Sequence, residues 1–146
     1  MTFVTGRPVL FVPALGSTPG RHIVVAWNSS RAAARAVNDA LALIERAERT
    51  TVVTVNPADF IGRHNAPTVD WMVEHLRRHS ARVRMIRLEN IPAGSIGDVL
   101  QTEARALGAD LVVAGAFGHP RLREKLLGGM TRDLLARMTF PILMSH

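Results

Sequence analysis

Two groups of glycines near the C-terminus have the spacing and the neighbours of a phosphate-binding site. Gly115 and Gly118 follow the apolar run Leu111–Ala114, and after nine further residues Gly128 and Gly129 open the last predicted helix. Glycine lets the backbone approach a ligand closely and adopt positive φ angles. The first N–H groups of a helix have no partner within it and carry the positive end of the helix dipole, so they suit an anion. The pattern therefore predicts an anion site, and its spacing is neither that of the P-loop nor that of the dinucleotide fingerprint.

This spacing resembles the nucleotide motif of the universal stress protein family, which reads G-x-x-G, nine residues, G and then Ser or Thr. Gly115, Gly118 and Gly128 match the motif, whereas Gly129 stands where most nucleotide binders of the family have a hydroxyl. The resemblance extends over nearly all of residues 21–146. The glycine segment is most similar to the C-terminal half of tandem members, in which two such domains follow each other.

The resemblance also implies which residues touch the ligand. Asn28 stands where the family has an aspartate that contacts the nucleoside, and Val55 matches the apolar position that packs against adenine. The predicted site residues are Trp27, Asn28, Ser29, Val55, Ala114, Gly115, Gly118, Gly128, Gly129, Met130 and Thr131. The implied ligand is ATP or a related adenine nucleotide, and Mg²⁺ is expected only as the companion of that nucleotide.

Two departures from the family motif bear on affinity. Asn28 forms hydrogen bonds but carries no charge, and Gly129 lacks a hydroxyl although its backbone N–H is retained. Because one neutral hydrogen bond contributes roughly 0.5–1.5 kcal/mol, we expect weaker binding rather than none. The alternative is that the glycines only shape turns, in a fold that no longer uses a nucleotide.

The apolar pattern predicts strands that alternate with helices. The predicted strands are Ile23–Ala26, Thr51–Val55, Val83–Leu88, Leu111–Ala114 and Ile142–Met144. The predicted helices run from a cap at Ser29 or Ser30 to about Arg49, through Val69 and Leu76, from a capping pattern at Ser95 and Asp98 to Gly108, and from Arg132 to Met138. This alternation indicates an α/β fold, a parallel sheet with helices on both faces.

The order of the strands follows from their polarity. Continuously apolar strands are central in parallel sheets, whereas arginines interrupt the third predicted strand and Pro141 begins the fifth, as suits edges. The order 3-2-1-4-5 fits this pattern, and it is also the order that the family resemblance implies for its Rossmann-like three-layer sandwich. Ligands bind beyond the carboxyl ends of the strands where the order reverses, which here is the crevice between the first and fourth strands. The glycine motif follows the fourth strand, so motif and crevice coincide.

The first twenty residues are predicted to add a strand and a linker in front of the domain at residues 21–146. The segment Gly6–Pro13 resembles the end of the domain itself, residues 140–144, and looks like the end of a preceding domain in a tandem protein. In the family, last strands pair across an antiparallel dimer seam. We therefore predict that Val9–Val12 pairs antiparallel with Ile142–Met144, in the same chain or swapped from a partner. A homodimer or a tandem-domain pair through the fifth strand is the corresponding prediction for assembly.

Composition narrows the function classes. A chain of 146 residues with 47% hydrophobic content can build one domain with its own core. The absence of cysteine excludes disulfides and thiolate chemistry. Neither a membrane-length apolar stretch nor an export signal is found, so a cytoplasmic protein without membrane partners is expected. The net charge of +6 is spread over arginines in several elements, which indicates a solvated basic surface rather than a nucleic-acid interface.

Other candidate sites are weaker. His75 and His79 stand four residues apart on a predicted helix, but no third metal ligand accompanies them, so a solvated helix face is favoured. Trp27 and Trp71 are predicted to lie in the core or the wall of the crevice rather than to stack on a nucleic acid. No catalytic triad or pair of carboxylates is found. The predicted function is a stress-response regulatory module that binds an adenine nucleotide without dedicated catalysis. A slow ATP hydrolase and a nucleotide-free dimerisation or adaptor module are the alternatives.

Overall fold

A computed structural model describes residues 6–14, 19–60, 68–80, 82–116 and 129–146. The strands are β1 (Val9–Phe11), β2 (His22–Trp27), β3 (Arg49–Val55), β4 (Val83–Leu88), β5 (Leu111–Gly115) and β6 (Ile142–Ser145). The helices are α1 (Arg31–Arg46), α2 (Val69–Arg77), α3 (Ile96–Ala106) and α4 (Gly129–Ala136). Short 3₁₀ turns, Pro57–Phe60 and Ala93–Ser95, follow β3 and precede α3.

All six strands form one sheet in the order β1-β6-β5-β2-β3-β4. Strands β2 to β6 are parallel to their neighbours in this order, and β1 is antiparallel to β6. The predicted order of the five parallel strands is thus confirmed. Strands β2 and β5 lie side by side, with Ile23 opposite Leu111 and Ala26 opposite Ala114. The order reverses between these two strands, so the expected ligand crevice begins at their carboxyl ends.

Two apolar cores cover the two faces of the sheet. Side chains alternate along a strand, so Ile23 and Val25 enter the core under α1 and α2, whereas Val24 and Ala26 enter the core under α3 and α4. We call these sides the α1/α2 face and the α3/α4 face. Strands β2 and β5 are buried along their whole length because both faces are covered. Each fully buried aliphatic side chain contributes about 1.5–3 kcal/mol, which fixes the positions of the strand ends.

Helix α1 starts at the carboxyl end of β2. Ser30 is its N-cap, and the Ser30 Oγ accepts a hydrogen bond of 3.0 Å from the backbone N–H of Ala33. Of the two serines predicted as caps, Ser30 therefore fills the role. The helix ends at Arg46, earlier than the predicted Arg49, because the N–H of Arg49 already donates to the carbonyl of Arg21 as β3 begins.

The predicted capping pattern of α3 is confirmed in position only, with Ser95 as the N-cap residue and Asp98 in the first turn. Ser95 makes no side-chain hydrogen bond at the helix start, because the chain enters α3 through the 3₁₀ turn in which the Ser95 N–H donates to the Pro92 carbonyl at 2.8 Å. The predicted end is correct, since Gly108 follows the helix with a φ of 69°. Helix α4 begins three residues before the predicted Arg132 and ends at Ala136 rather than Met138.

The predicted N-terminal strand is present and pairs within the chain. In the register, Val9 lies opposite Met144, Leu10 opposite Leu143 and Phe11 opposite Ile142. This pairing covers the outer edge of β6. Strand β1 is therefore the edge strand of the sheet on this side, and its Leu10 is 44% exposed.

The backbone at the start of β2 is held by the side chain of Asp110. Both carboxylate oxygens of Asp110 accept hydrogen bonds of 3.0–3.1 Å from the backbone N–H groups of Gly20, Arg21 and His22. Asp110 precedes β5, so it ties the start of β2 to the start of its neighbour. The amino ends of the central strands are thereby held in register.

Candidate functional site

Three predicted site residues, Val55, Ala114 and Thr131, belong to elements on the α3/α4 face of the sheet. Val55 ends β3, and Ala114 precedes the last residue of β5; both are buried in the α3/α4 core. Thr131 lies in the first turn of α4, one turn before Leu134, which belongs to the same core. The strand residues offer a small apolar surface and Thr131 offers a hydroxyl.

Thr131 carries the one hydroxyl of the predicted set that is fully buried among the described residues. The residue is 1% exposed, and its Oγ1 has no hydrogen-bond partner among the residues that the structure describes. Leaving a buried hydroxyl unpaired costs about 1–3 kcal/mol. The neighbouring N–H groups of the first turn of α4 also lack acceptors within the helix. A ligand oxygen at this position would accept from both.

Helix α4 is held by a buried amide of α3. The Gln101 Nε2 donates to the carbonyls of Asp133 and Leu134 at 2.9 and 3.0 Å, and Gln101 is itself buried. The Gln101 Oε1 accepts from Arg105 at 3.3 Å. These bonds occupy carbonyls in the second half of α4, so the helix position is fixed from its C-terminal side and its first turn is left for other contacts.

Asn28 has a local structural role that the sequence did not show. Its Oδ1 accepts a hydrogen bond of 3.1 Å from the Ser30 N–H, directly before the cap of α1. Ser29 between them has a φ of 58°. The carbonyl oxygen of Asn28 is therefore engaged in the turn, and its amide N–H groups are the part that suits a ligand. An aspartate here would accept the same bond, which explains why Asn replaces it without altering the turn.

Trp27 and Gly115 face the opposite side of the sheet from Val55. Trp27 is 2% exposed and belongs to the α1/α2 core, because it is the neighbour of Ala26 in a strand whose side chains alternate. Its indole is a core group, so residue 27 reaches the crevice only through its backbone. Of the two places predicted for Trp27, the core and the wall of the crevice, the side chain occupies the core.

The position of Gly115 is explained by packing. A Cβ at this position would lie 2.6 Å from the backbone C of Ala32 and would also meet the backbone N of Ala33, at the start of α1. Atoms cannot approach this closely, so the first turn of α1 requires glycine at residue 115. The residue thus has a structural function on the α1/α2 face whether or not a ligand binds.

The remaining predicted residues are only partly described. Gly118 and Gly128 lie outside the described residues. Gly129 and Met130 are the first residues of α4, and the side chain of Met130 also lies outside the described part. Their predicted contacts with phosphate stay predictions.

Sequence reasoning missed Asn56, which follows Val55 directly. The Asn56 Nδ2 donates to the carbonyl of Ile91 at 2.7 Å, and the Asn56 Oδ1 accepts from the N–H of Ile91 at 3.0 Å. The backbone φ of Asn56 is 48°. The pair Asn56-Pro57 favours the start of a turn, and asparagine tolerates a positive φ. The hydrogen-bond partner of Asn56, in contrast, is 35 residues away in the chain.

The histidines with shifted pKa values lie away from these strand ends. Burial, and then the nearby Arg49 guanidinium, lower the pKa of His22, which begins β2 at the opposite end of the sheet. The Nδ1–H of His22 donates to the Leu107 carbonyl at 2.8 Å, and its Nε2 accepts from the Thr51 hydroxyl at 2.9 Å. These two bonds select one neutral tautomer.

The second shifted histidine lies on the outer side of α2. Burial, then His79 and Arg78, lower the pKa of His75. The ring of His75 stacks on Trp71 with the centroids 5.4 Å apart. Trp71 is 54% exposed, so the prediction that it lies in the core or the crevice wall is wrong. Among the described residues, no group of three or more His, Cys, Asp or Glu is arranged to hold a metal.

Comparison with known proteins identifies the fold family. A sequence model of the universal stress protein family matches residues 20–146. Among curated proteins, none matches the chain. Within the described residues, none of the helices combines the length and the apolar character needed to span a bilayer.

Solved structures of universal stress proteins share this fold. UspA from Lactobacillus plantarum is 19% identical with a TM-score of 0.66, and the match covers 86% of this chain and 97% of that one. A universal stress protein in complex with cAMP is 20% identical with a TM-score of 0.60, covering 86% and 95%.

One neighbour is about twice as long as the matched region. A universal stress protein from Archaeoglobus fulgidus is 17% identical with a TM-score of 0.70, and the match covers 94% of this chain but 49% of that chain. This coverage exceeds what residues 20–146 alone can supply. The structural likeness therefore reaches into the N-terminal segment that holds β1.

Proposed function

Because the chain belongs to the universal stress protein family, we propose that it is a stress-response regulatory module that binds an adenine nucleotide between β2 and β5. The observation that carries the proposal is Thr131, whose buried hydroxyl lacks a partner among the described residues and lies in the first turn of α4. A phosphate oxygen would pair with this hydroxyl and with the free N–H groups of that turn. The family member solved with cAMP supports an adenine nucleotide as the ligand class.

In this proposal each end of the nucleotide meets a different surface. The adenine ring lies against Val55 on the α3/α4 face, and the amide N–H groups of Asn28 donate to the nucleoside. The phosphates extend toward the first turn of α4, where Thr131 and the backbone of Gly129 donate. Ala114 is small, so the backbone of β5 and the ligand can approach each other. Mg²⁺ enters only with the nucleotide.

Binding rather than turnover is the proposed activity. ATP hydrolysis requires a group that orients the attacking water. Asn28 is uncharged at the position where the family has an aspartate, and its Oδ1 is engaged by the Ser30 N–H. A slow hydrolase is therefore the weaker alternative, and phosphate release that exceeds that of a Thr131→Ala variant would favour it.

The nucleotide-free adaptor module has specific observations in its favour. Gly115 is required by the packing of α1, and Asn28 fixes the turn before that helix. Gly115 and Asn28 therefore both have a structural role that needs no ligand. Substitution of Thr131 separates the alternatives, because only the nucleotide-binding module would lose a ligand contact with it. The buried hydroxyls of Thr50 and Thr54, which are also unpaired among the described residues, show that the lack of a partner alone does not indicate a ligand.

Assembly through the last strand is also a proposal. Because β1 covers the edge of β6 within the chain, a partner pairs there only if β1 leaves or is exchanged. The Archaeoglobus fulgidus neighbour, of which the match covers 49%, supports a second domain as one kind of partner.

Calorimetric titration of the purified chain with ATP, ADP, AMP and cAMP tests the proposed function. Heat of binding with at least one of these ligands is expected, and uridine triphosphate is the control for base selectivity. The absence of heat and of any thermal shift at about 1 mM ligand, which corresponds to less than about 4 kcal/mol of binding free energy, would contradict nucleotide binding and leave the adaptor module.

A further inference from the structure

Asn56 joins two loops at the carboxyl edge of the sheet through three hydrogen bonds. Its backbone N–H donates to the Leu88 carbonyl at 2.7 Å, at the end of the neighbouring strand β4. Its side chain adds the pair with the backbone of Ile91, donating at 2.7 Å and accepting at 3.0 Å. The Oδ1 and Nδ2 of Asn56 are both engaged, so this side chain acts on the loop.

The loop that Asn56 holds borders the surface where the base is proposed to lie. Val55 and Leu88 are direct neighbours in the β3–β4 register. Ile91, three residues after Leu88, is half-buried and packs against the α3/α4 core that contains Val55. Glu89 and Asn90 between them are exposed. The side-chain pair from Asn56 therefore sets where Ile91 lies relative to Val55.

We infer that Asn56 is a positioning residue for the base of the nucleotide, an inference that rests on the proposed function. By fixing the backbone of Ile91, it aligns the Ile91 and Val55 side chains as one apolar wall for a planar ring. The three hydrogen bonds of Asn56 described above reach Leu88 and Ile91 and not α4, although the 3₁₀ turn Ala93–Ser95 after this loop contacts that helix. We therefore expect Asn56 to affect the base end of the ligand, and the comparison with a ligand that lacks the base tests whether the phosphate end is unchanged.

The chemistry at this position admits few other residues. The site requires a donor and an acceptor on one short side chain, and a backbone φ of 48°. Asparagine meets both conditions and tolerates positive φ. Aspartate keeps the acceptor for the Ile91 N–H but places a negative oxygen against the Ile91 carbonyl. Glycine keeps the backbone conformation and removes the side-chain pair.

The test compares Asn56→Gly with Asn90→Gly. Asn90 lies in the same loop, is exposed and has a φ of 58°, so the second variant makes the same chemical change at a matched backbone conformation. Each variant and the wild-type protein are titrated calorimetrically with ATP and with tripolyphosphate, which carries the phosphates without the base. We expect Asn56→Gly to weaken ATP binding about fivefold, the equivalent of one hydrogen bond, and to leave tripolyphosphate binding unchanged. Asn90→Gly is expected to bind both ligands like the wild type.

Two results for Asn56→Gly would overturn this inference and leave the proposed function standing. Equal ATP affinity in Asn56→Gly and wild type shows that the clamp does not position the base. Equal weakening of ATP and tripolyphosphate shows a general loosening of the site. If the wild-type protein itself binds no ATP, the proposed function fails and the inference falls with it. The Asn56→Asp variant gives a further test. When its carboxyl is protonated at lower pH, it can again donate to the Ile91 carbonyl, so we expect its ATP affinity to rise relative to that of the wild type. If the ATP affinity does not rise relative to the wild type, the inference is contradicted.

Discussion

Gly115 and Ala114 are neighbours in β5, and their different side chains match the different surroundings of the two faces. Ala114 is buried among apolar residues of the α3/α4 core. Gly115 faces the start of α1, where even one methyl group would overlap the backbone of Ala32. The last residue of β5 therefore decides how closely α1, the helix that follows the neighbouring strand β2, can lie to the sheet.

Gly115→Ala is expected to destabilise the protein by about 1–3 kcal/mol, the usual cost of overpacking, because the backbone of α1 must move to admit the Cβ. Urea unfolding measures the change. Gly94→Ala is the matched control, since a Cβ at residue 94 meets nothing within 4 Å. Equal midpoints for the two variants would contradict the packing account of Gly115.

His22 is expected to make stability depend on pH. Its pKa in the folded protein is lowered by burial and by Arg49, so protonation favours the unfolded state. The contribution to stability is complete above the ordinary histidine value of about 6.5 and is lost as the pH falls through the lowered folded pKa. The free energy of unfolding should therefore decrease from about pH 7.5 to about pH 5, and more steeply than in His22→Gln.

NMR titration of the ring protons gives the same test directly. The imidazole of His22 should protonate at lower pH than a histidine in an unfolded peptide. Equal pH slopes for wild type and His22→Gln, or an ordinary pKa for His22, would show that burial of this ring does not control the dependence.

At the scale of elements, the apolar runs predicted the sheet well and the helix ends less well. The residue types predict both strands, Leu111–Ala114 and Val83–Leu88. The first is apolar throughout because it is buried on both faces, whereas arginines interrupt the second, which is only partly buried. The capping pattern predicted Ser95 correctly as the N-cap residue of α3 but not its bonding, since the 3₁₀ turn after Pro92 begins the helix without a side-chain hydrogen bond. Short-range turn geometry of this kind has several solutions for one local sequence.

Strand β1 covers the edge of β6 by only three residue pairs. Deletion of residues 1–13 is expected to expose that edge and to promote self-association, because an uncovered strand edge pairs with other chains. Sedimentation velocity compares the truncated chain with the full chain. Leu10→Lys is the control, since residue 10 is 44% exposed and the substitution keeps the backbone pairing. An unchanged sedimentation coefficient for the truncated chain would show that β1 is not needed to cover the edge.

At the scale of the whole molecule, two cores on one sheet bring residues from distant segments to a single edge. The residues concerned lie near the carboxyl ends of parallel strands, in the loops after them, or in the first turn of α4; they are residues 55 and 114, residues 28, 56 and 91, and residue 131. The net charge of +6 favours the approach of an anionic ligand to this basic molecule.

Only part of this arrangement was predictable from the sequence. The carboxyl edge of the sheet was predictable as the site, because strand order and glycine spacing indicate the same crevice. The bond between Asn56 and Ile91 was not predictable, since it depends on a three-dimensional neighbour 35 residues away that spacing does not record.

Substitution of Thr131 by valine tests the central claim most directly. Thr50 is the matched control, because it is also fully buried, its Oγ1 also lacks a partner among the described residues, and it lies at the amino end of β3. Thr131→Val and Thr50→Val each replace an unpaired hydroxyl by a methyl group of similar volume, so neither should lower the stability of the ligand-free protein.

The thermal shift produced by ATP should then separate the two variants. We predict that Thr131→Val loses about 1 kcal/mol of ATP binding, the value of one hydrogen bond, and shows a smaller shift than wild type. Thr50→Val should retain the full shift. If Thr131→Val shows the same ATP-dependent shift as wild type and Thr50→Val, the buried hydroxyl does not bind the nucleotide and the proposed site is contradicted.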